Sequence, residues 1–141
     1  MKARWLLLVC AICLFPAVLL AASKRFSVDY HVGFLPSEGL ATVRIVVEPD
    51  SGRVVSLDLR MDAERYLDVQ GDGEVVREGE RVRWTLPEAG GELRYRYRID
   101  KRRREGGFDA RITPDWTLVR ADHLIPPLRA RLTRDTDAQA R

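Results

Sequence analysis

The chain has little cysteine: Cys10 and Cys13 are the only two among its 141 residues. Both fall in an apolar stretch near the N-terminus, so no thiol remains elsewhere to form a disulfide or to bind zinc. The two histidines, His31 and His123, belong to no H-E-x-x-H sequence. We expect His31 to be an exposed strand residue and His123 to have an ordinary loop or hydrogen-bonding role. G-x-S-x-G and P-loop sequences are also absent. We therefore predict that the protein is not an enzyme and has no catalytic residue, no metal site and no cofactor.

The chain also lacks a strong excess of one charge, with 24 basic and 21 acidic residues. Nucleic-acid-binding domains concentrate basic residues on one face, and no such stripe is visible, so we expect no nucleic-acid partner. The densest basic run, 101–104, precedes Gly106 and Gly107 and is interpreted as the exposed tip of a hairpin. The alternative interpretation is a basic loop that contacts anionic lipid or a partner.

The N-terminal stretch has the layout of a secretory signal peptide. Residues 1–4 are basic, residues 5–22 are uncharged and mostly apolar, and Ala21-Ala22-Ser23 supplies small residues before Lys24. This order predicts a signal helix in residues 1–23 that is removed on export, so we expect a periplasmic or secreted protein. The alternative is an uncleaved anchor in the inner membrane formed by residues 5–22, which would be the only membrane contact.

Beyond the signal peptide, apolar residues alternate with polar ones at period 2, as in strands with one buried face. The clearest stretch is 93–99, and 26–32, 40–48 and 55–61 show the same pattern. Glycine-rich and proline-rich turns separate these stretches at near-regular intervals. Residues 24–133 are therefore predicted to form an all-β domain, an antiparallel β-sandwich of about seven strands. Its expected core aromatics are Phe26, Trp84, Tyr95 and Tyr97, and residues 134–141 are expected to be a disordered tail.

Residues 108–127 combine aromatic, acidic and arginine side chains outside simple alternation. Tryptophan and arginine are enriched among the residues that dominate protein interfaces. We therefore predict an interaction surface, named here the 108–120 surface, formed by Phe108, Asp109, Arg111, Asp115, Trp116 and Arg120. The alternative is that Phe108 and Trp116 close the end of the sandwich, with Asp109 and Arg111 in local hydrogen bonds.

Two segments carry a resemblance to a known family. They read Gly107-Phe108-Asp109-Ala110-Arg111-Ile112-Thr113-Pro114-Asp115-Trp116 and Val119-Arg120-Ala121-Asp122-His123-Leu124-Ile125-Pro126-Pro127, after Tyr95-Arg96-Tyr97-Arg98-Ile99-Asp100. Residues 30–127 resemble the N-terminal β domain of bacterial glycyl-aminopeptidase-like metallopeptidases. The resemblance implies an exported β domain that precedes a zinc-binding catalytic domain with H-E-x-x-H, often followed by a PDZ module. None of those catalytic positions occurs in this chain.

Two functions compete at this point, and a third stays open. The first is a non-catalytic exported module for interaction or scaffolding, with a protein partner. The second is a truncated front piece of a zinc aminopeptidase whose missing catalytic domain is encoded downstream. The third is an envelope carrier that holds a small ligand in an apolar cavity between two sheets.

Overall fold

The computed structural model describes residues 25–133, an all-β domain with antiparallel sheets. The predicted signal helix and the predicted tail lie outside the described residues. Seven strands precede Asp100. They are β1 (Phe26–Leu35), β2 (Leu40–Pro49), β3 (Val54–Arg60), β4 (Tyr66–Gly71), β5 (Glu74–Glu78), β6 (Arg81–Thr85) and β7 (Gly91–Arg98).

Four shorter strands and one helical turn follow, so the described chain has eleven strands where the sequence predicted about seven. They are β8 (Lys101–Arg102), β9 (Phe108–Ile112), β10 (Thr117–Leu118), the helix α1 (Ala121–Leu124) and β11 (Leu128–Leu132). A 3₁₀ turn, Pro36–Glu38, joins β1 to β2. Two of the extra strands, β8 and β10, were missed because they have only two residues each, too few to show an alternating pattern.

The strands form two four-stranded sheets and one small sheet. The first sheet has the order β1-β2-β7-β4, the second β11-β3-β6-β5 and the third β10-β9-β8. In the first sheet, Val43 lies opposite Tyr95 and Ile45 opposite Leu93. Residues opposite each other in an antiparallel pair share a face, so these side chains form one apolar layer. Buried residues from all three sheets belong to a single hydrophobic cluster.

The expected core aromatics are mostly confirmed. Trp84, Tyr95 and Tyr97 are buried, and the indole N–H of Trp84 donates a 2.6 Å hydrogen bond to the carbonyl of Asp72. This bond satisfies the one polar group of a side chain that is otherwise surrounded by apolar atoms. Phe26 is only partly buried and packs against the cluster from its margin.

Strand β4 was not predicted, because a bulge interrupts its alternation. The pairing of β4 with β7 shifts register between Leu67 and Gln70. Asp68 lies in this bulge with φ of 51°, in the left-handed region that aspartate tolerates better than most residues. Its carboxylate accepts a hydrogen bond from Arg96 on the neighbouring strand.

Strand β1 is the outermost strand of the first sheet and contributes less to the core than its sequence pattern suggested. Tyr30, Val32 and Phe34 are 40%, 39% and 45% exposed. They lie opposite Ile45, Val43 and Ala41 of β2, which are all buried. The apolar face of the first sheet therefore continues onto β1, where no other part of the described chain fully covers it.

Candidate functional site

The predicted 108–120 surface begins at a hairpin that is built from the basic run. Strand β8 pairs with β9, and Arg102 lies opposite Phe108. The turn between them needs glycine, because Gly106 and Gly107 have φ of 88° and 80°. The basic run therefore lies in a hairpin, with Lys101 and Arg102 in β8 and the remaining residues in the turn, and the hairpin places arginine side chains next to Phe108.

A second tight turn presents Trp116. Strand β9 continues to Ile112, which lies opposite Thr117 of β10. Within the turn, the backbone N–H of Trp116 donates to the Thr113 hydroxyl at 3.1 Å, and the N–H of Thr113 donates to the Trp116 carbonyl at 2.9 Å. These bonds fix the backbone around Trp116, whose side chain is 51% exposed. The tryptophan is therefore held in place and still reaches solvent.

Arginine and aromatic side chains alternate across the two turns. The Arg111 guanidinium lies 4.5 Å from the Phe108 ring centroid and 5.9 Å from that of Trp116. The Arg102 guanidinium also lies 5.3 Å from the Phe108 ring centroid. All three distances are within the range of cation–π attraction. We call Arg102, Phe108, Arg111 and Trp116 the arginine–aromatic row.

The charged members of the 108–120 surface are engaged locally. Asp109 accepts a hydrogen bond from Arg103, and this bond lowers the pKa of the Asp109 carboxyl below its ordinary value. Arg120 donates two hydrogen bonds to Asp122, which lower the pKa of that carboxyl in the same way and raise the pKa of Arg120. Both carboxylates therefore stay ionised over a wide range of pH.

The structure thus brings together only part of the predicted surface. Arg111 lies within cation–π distance of both Phe108 and Trp116, whereas Asp109 pairs with Arg103 and Arg120 pairs with Asp122. Asp115 is exposed and has no ion pair or hydrogen bond within residues 25–133. Arg102 was missed as a site residue. The two glycines indicated a hairpin, but the register shift between Lys101 and Arg102 hid which residue lies opposite Phe108.

The surface rests on the hydrophobic core. Ala110 and Ile112 of β9 are buried in the cluster that contains Tyr95. Further along the chain, the hydroxyls of Tyr66 and Tyr95 donate 2.6 Å hydrogen bonds to the carbonyls of His123 and Leu124. Each bond gives a hydrogen-bond donor to a backbone carbonyl of α1, which lies outside the sheets. The side chains of the row are therefore mounted on a backbone that is tied to the first sheet.

His123 lies close to this charged region but is not part of the row. Its Nδ1 atom is buried and has no hydrogen-bond partner among the described residues. The backbone of His123 has a clear role, since its carbonyl accepts the bond from Tyr66. The sequence predicted a loop or hydrogen-bonding role for His123; the residue lies in the short helix α1 rather than in a loop, and its backbone takes part in a hydrogen bond.

One cavity bears on the carrier function that the sequence left open. A cavity of about 300 Å³ lies where β4 of the first sheet approaches β5 of the second. Arg77 lines it and donates hydrogen bonds to the carbonyls of Met61 and Tyr66 at 2.9 and 3.0 Å. The guanidinium therefore joins the two strands across the cavity, next to the apolar Val69, Val75 and Val82.

Comparisons with protein-family models, with curated proteins and with solved structures found no match to the chain. Within residues 25–133, histidine, cysteine and acidic side chains form no group of three or more that could hold a metal ion. The same part of the chain contains no helix of the length and hydrophobicity needed to span a membrane. The arginine–aromatic row is thus the strongest candidate site.

Proposed function

We propose that the protein is a non-catalytic, exported β-sandwich module that binds a protein partner through the arginine–aromatic row. The observation that carries the proposal is the exposed Trp116 ring with the Arg111 guanidinium 5.9 Å from its centroid. Tryptophan and arginine supply much of the binding free energy at protein interfaces. The two four-stranded sheets whose buried residues form one cluster support the sandwich part of the proposal.

The row also favours a particular kind of partner. Arg111 lies between Phe108 and Trp116 and has no ion pair within the described chain, so its N–H groups are free to meet a carboxylate. The exposed Trp116 ring and the exposed aliphatic side chain of Leu118 supply apolar contact area. The expected partner is a protein surface that combines acidic and apolar side chains.

The resemblance to glycyl-aminopeptidase-like metallopeptidases supplies a second candidate for the partner. In that family the stretch similar to residues 108–127 leads toward the catalytic domain, and here it carries the exposed row. The partner would then be a zinc-binding catalytic domain encoded by a neighbouring reading frame. A neighbouring frame with H-E-x-x-H would favour this version, whereas tightly bound zinc with peptide turnover in the purified protein alone would contradict both.

Export is part of the proposal, and the order of basic, apolar and small residues in 1–23 supports it. Mass spectrometry of the periplasmic fraction should detect a chain that begins near Ala22 or Ser23. An intact N-terminus in the membrane fraction would instead support an anchor formed by residues 5–22.

The binding role can be tested by cross-linking in cells that express the protein. Arg111→Ala should lower the yield of the cross-linked partner roughly tenfold and leave the fold intact, because the side chain is exposed. Arg129→Ala, which removes an exposed arginine on β11, is the matched control and should keep the wild-type yield. Equal yields from the two variants would contradict the assignment of the row as the binding surface.

A further inference from the structure

Strand β1 leaves one edge of the first sheet unpaired. It pairs with β2 over ten residues, and no other described strand borders it. Natural edge strands are usually short or carry lysine, proline or a bulge that prevents pairing with another chain. Strand β1 has none of these features: its register with β2 is uninterrupted, and its sequence contains no lysine or proline.

The backbone of β1 has groups available for a further strand. The carbonyl of Arg25 accepts a hydrogen bond from the N–H of Asp50, and the carbonyl of Gly33 accepts one from the Thr42 hydroxyl. Both odd-numbered residues therefore direct their backbone groups toward β2. Backbone direction alternates along an antiparallel pair, so the N–H and C=O groups of the even-numbered residues face the open edge.

The side chains of the same even-numbered residues form an incomplete apolar layer. Tyr30, Val32 and Phe34 share a face with buried residues of β2 and are about two-fifths exposed. A strand that paired with β1 and carried apolar residues on this face would continue the layer. The unpaired edge and the exposed apolar face of β1 can therefore both be covered by the same kind of binding partner, an extended segment with alternating apolar residues.

Strand β1 itself fits this description, and a symmetric register centred on Tyr30 also pairs its charged residues. When Tyr30 lies opposite Tyr30 of a second copy, Val28 lies opposite Val32 and Phe26 opposite Phe34. On the polar face, Asp29 then lies opposite His31 of the second copy, and the symmetry repeats this pair. Each imidazole can donate an N–H to the facing carboxylate.

The neighbouring registers are less favourable. In the register centred on Asp29 instead of Tyr30, Asp29 lies opposite Asp29 of the second copy. Like charges directly opposite each other are destabilising. In the register centred on His31, His31 lies opposite His31 of the second copy, and the Asp29 carboxylate of each copy has no facing side-chain donor. The pattern of charges in β1 therefore selects the register centred on Tyr30.

We propose that two copies of the chain pair through β1 in antiparallel orientation, centred on Tyr30. The first sheet of one copy, with four strands, then joins the first sheet of the other copy to form one eight-stranded sheet that runs through the dimer. The interface is isologous, since each copy contributes the same strand, and it closes without leaving β1 open for further chains.

The first test compares two exposed valines on edge strands. Val32 of β1 and Val76 of β5 are 39% and 40% exposed. In sedimentation equilibrium of the purified protein, Val32→Lys should weaken dimerisation at least roughly tenfold, because a charge on the apolar layer opposes pairing. Val76→Lys, at the edge of the other sheet, should leave the dimer unchanged. Equal effects of the two substitutions, or a wild-type monomer at the highest soluble concentration, would overturn the proposal.

The second test examines the register. Asp29→Lys and His31→Asp should each weaken the dimer roughly tenfold, because each one removes both symmetric pairs. The double variant Asp29→Lys/His31→Asp should recover most of the wild-type affinity, since lysine then faces aspartate. Both positions are exposed, so the single variants should fold normally, and thermal melts check this. A double variant as weak as the single variants would overturn pairing through β1 in this register.

Discussion

Two tyrosines, Tyr66 and Tyr95, connect the first sheet to the segment that follows the 108–120 surface, and a third, Tyr97, packs against Tyr66. The Tyr66 ring contacts the rings of Tyr95 and Tyr97 edge to face, with centroids 5.7 and 5.0 Å apart. Tyr66 and Tyr95 also donate hydrogen bonds to backbone carbonyls of α1. Tyr66 and Tyr95 combine a buried ring with a hydrogen-bonded hydroxyl, so each contributes to stability in two ways.

Neighbouring residues of β7 test which face of this strand is buried. Tyr97→Ala should lower the free energy of unfolding by about 3–5 kcal/mol, because it removes a large buried ring. Arg96→Ala should cost less than about 1 kcal/mol, because its ion pairs with Glu38 and Asp68 are solvent-exposed. Denaturant melts of the two variants measure the difference, and comparable losses would show that the faces are assigned wrongly.

The buried tyrosines also predict a loss of stability at alkaline pH. Burial raises the pKa of the Tyr95 hydroxyl above its ordinary value of 10.0, and that of Tyr66 in the same direction. The unfolded chain therefore releases these protons first as pH rises. The free energy of unfolding should be steady near neutral pH and should fall as pH rises above about 10.

The variant Tyr95→Phe isolates this effect. At neutral pH it should lower the free energy of unfolding by about 1–3 kcal/mol, because the Leu124 carbonyl loses its hydrogen bond. Above pH 10 its stability should fall less steeply than that of the wild type, because one buried hydroxyl is gone. Urea melts at neutral and alkaline pH provide both values, and parallel pH profiles would argue against Tyr95 as a source of the alkaline sensitivity.

At the scale of elements, the strands that could be predicted are those with regular alternation. The stretch 93–99 shows clean alternation, and β7 spans most of it with both tyrosines buried. Strand β4 could not be predicted, because the bulge at Asp68 reverses the order of faces within six residues. The contact of Arg102 with Phe108 depends on pairing between two short strands, which local sequence does not specify.

The bulge in β4 makes a prediction of its own. Asp68→Val should destabilise the domain by about 1–2 kcal/mol, because a β-branched residue fits the left-handed conformation poorly. Asp68→Gly removes the same exposed ion pair with Arg96 but accepts the positive φ, so it is the matched control. We expect Asp68→Gly to be clearly more stable than Asp68→Val in thermal melts. The reverse order would contradict a strained bulge at this position.

At the scale of the molecule, the all-β class could be predicted from the sequence, whereas the extent to which apolar side chains stay exposed to solvent could not. Alternation indicates which face of a strand is apolar, but not how much of that face another sheet covers. The apolar residues of β1 had the pattern of a half-buried strand, and Tyr30, Val32 and Phe34 are nevertheless substantially exposed. Trp116 likewise had two interpretations, and its exposure favours the interaction surface over the closure of the domain end.

The most direct test of the proposed binding role is the variant Trp116→Ala, examined by thermal melting and by cross-linking to the partner. We predict a melting temperature close to that of the wild type, because half of the side chain is already exposed, together with loss of the cross-linked complex. Trp84→Ala, which removes the buried tryptophan, should unfold the domain and calibrates the melt. A Trp116→Ala variant that unfolds, or one that stays folded and keeps the complex, would contradict the account.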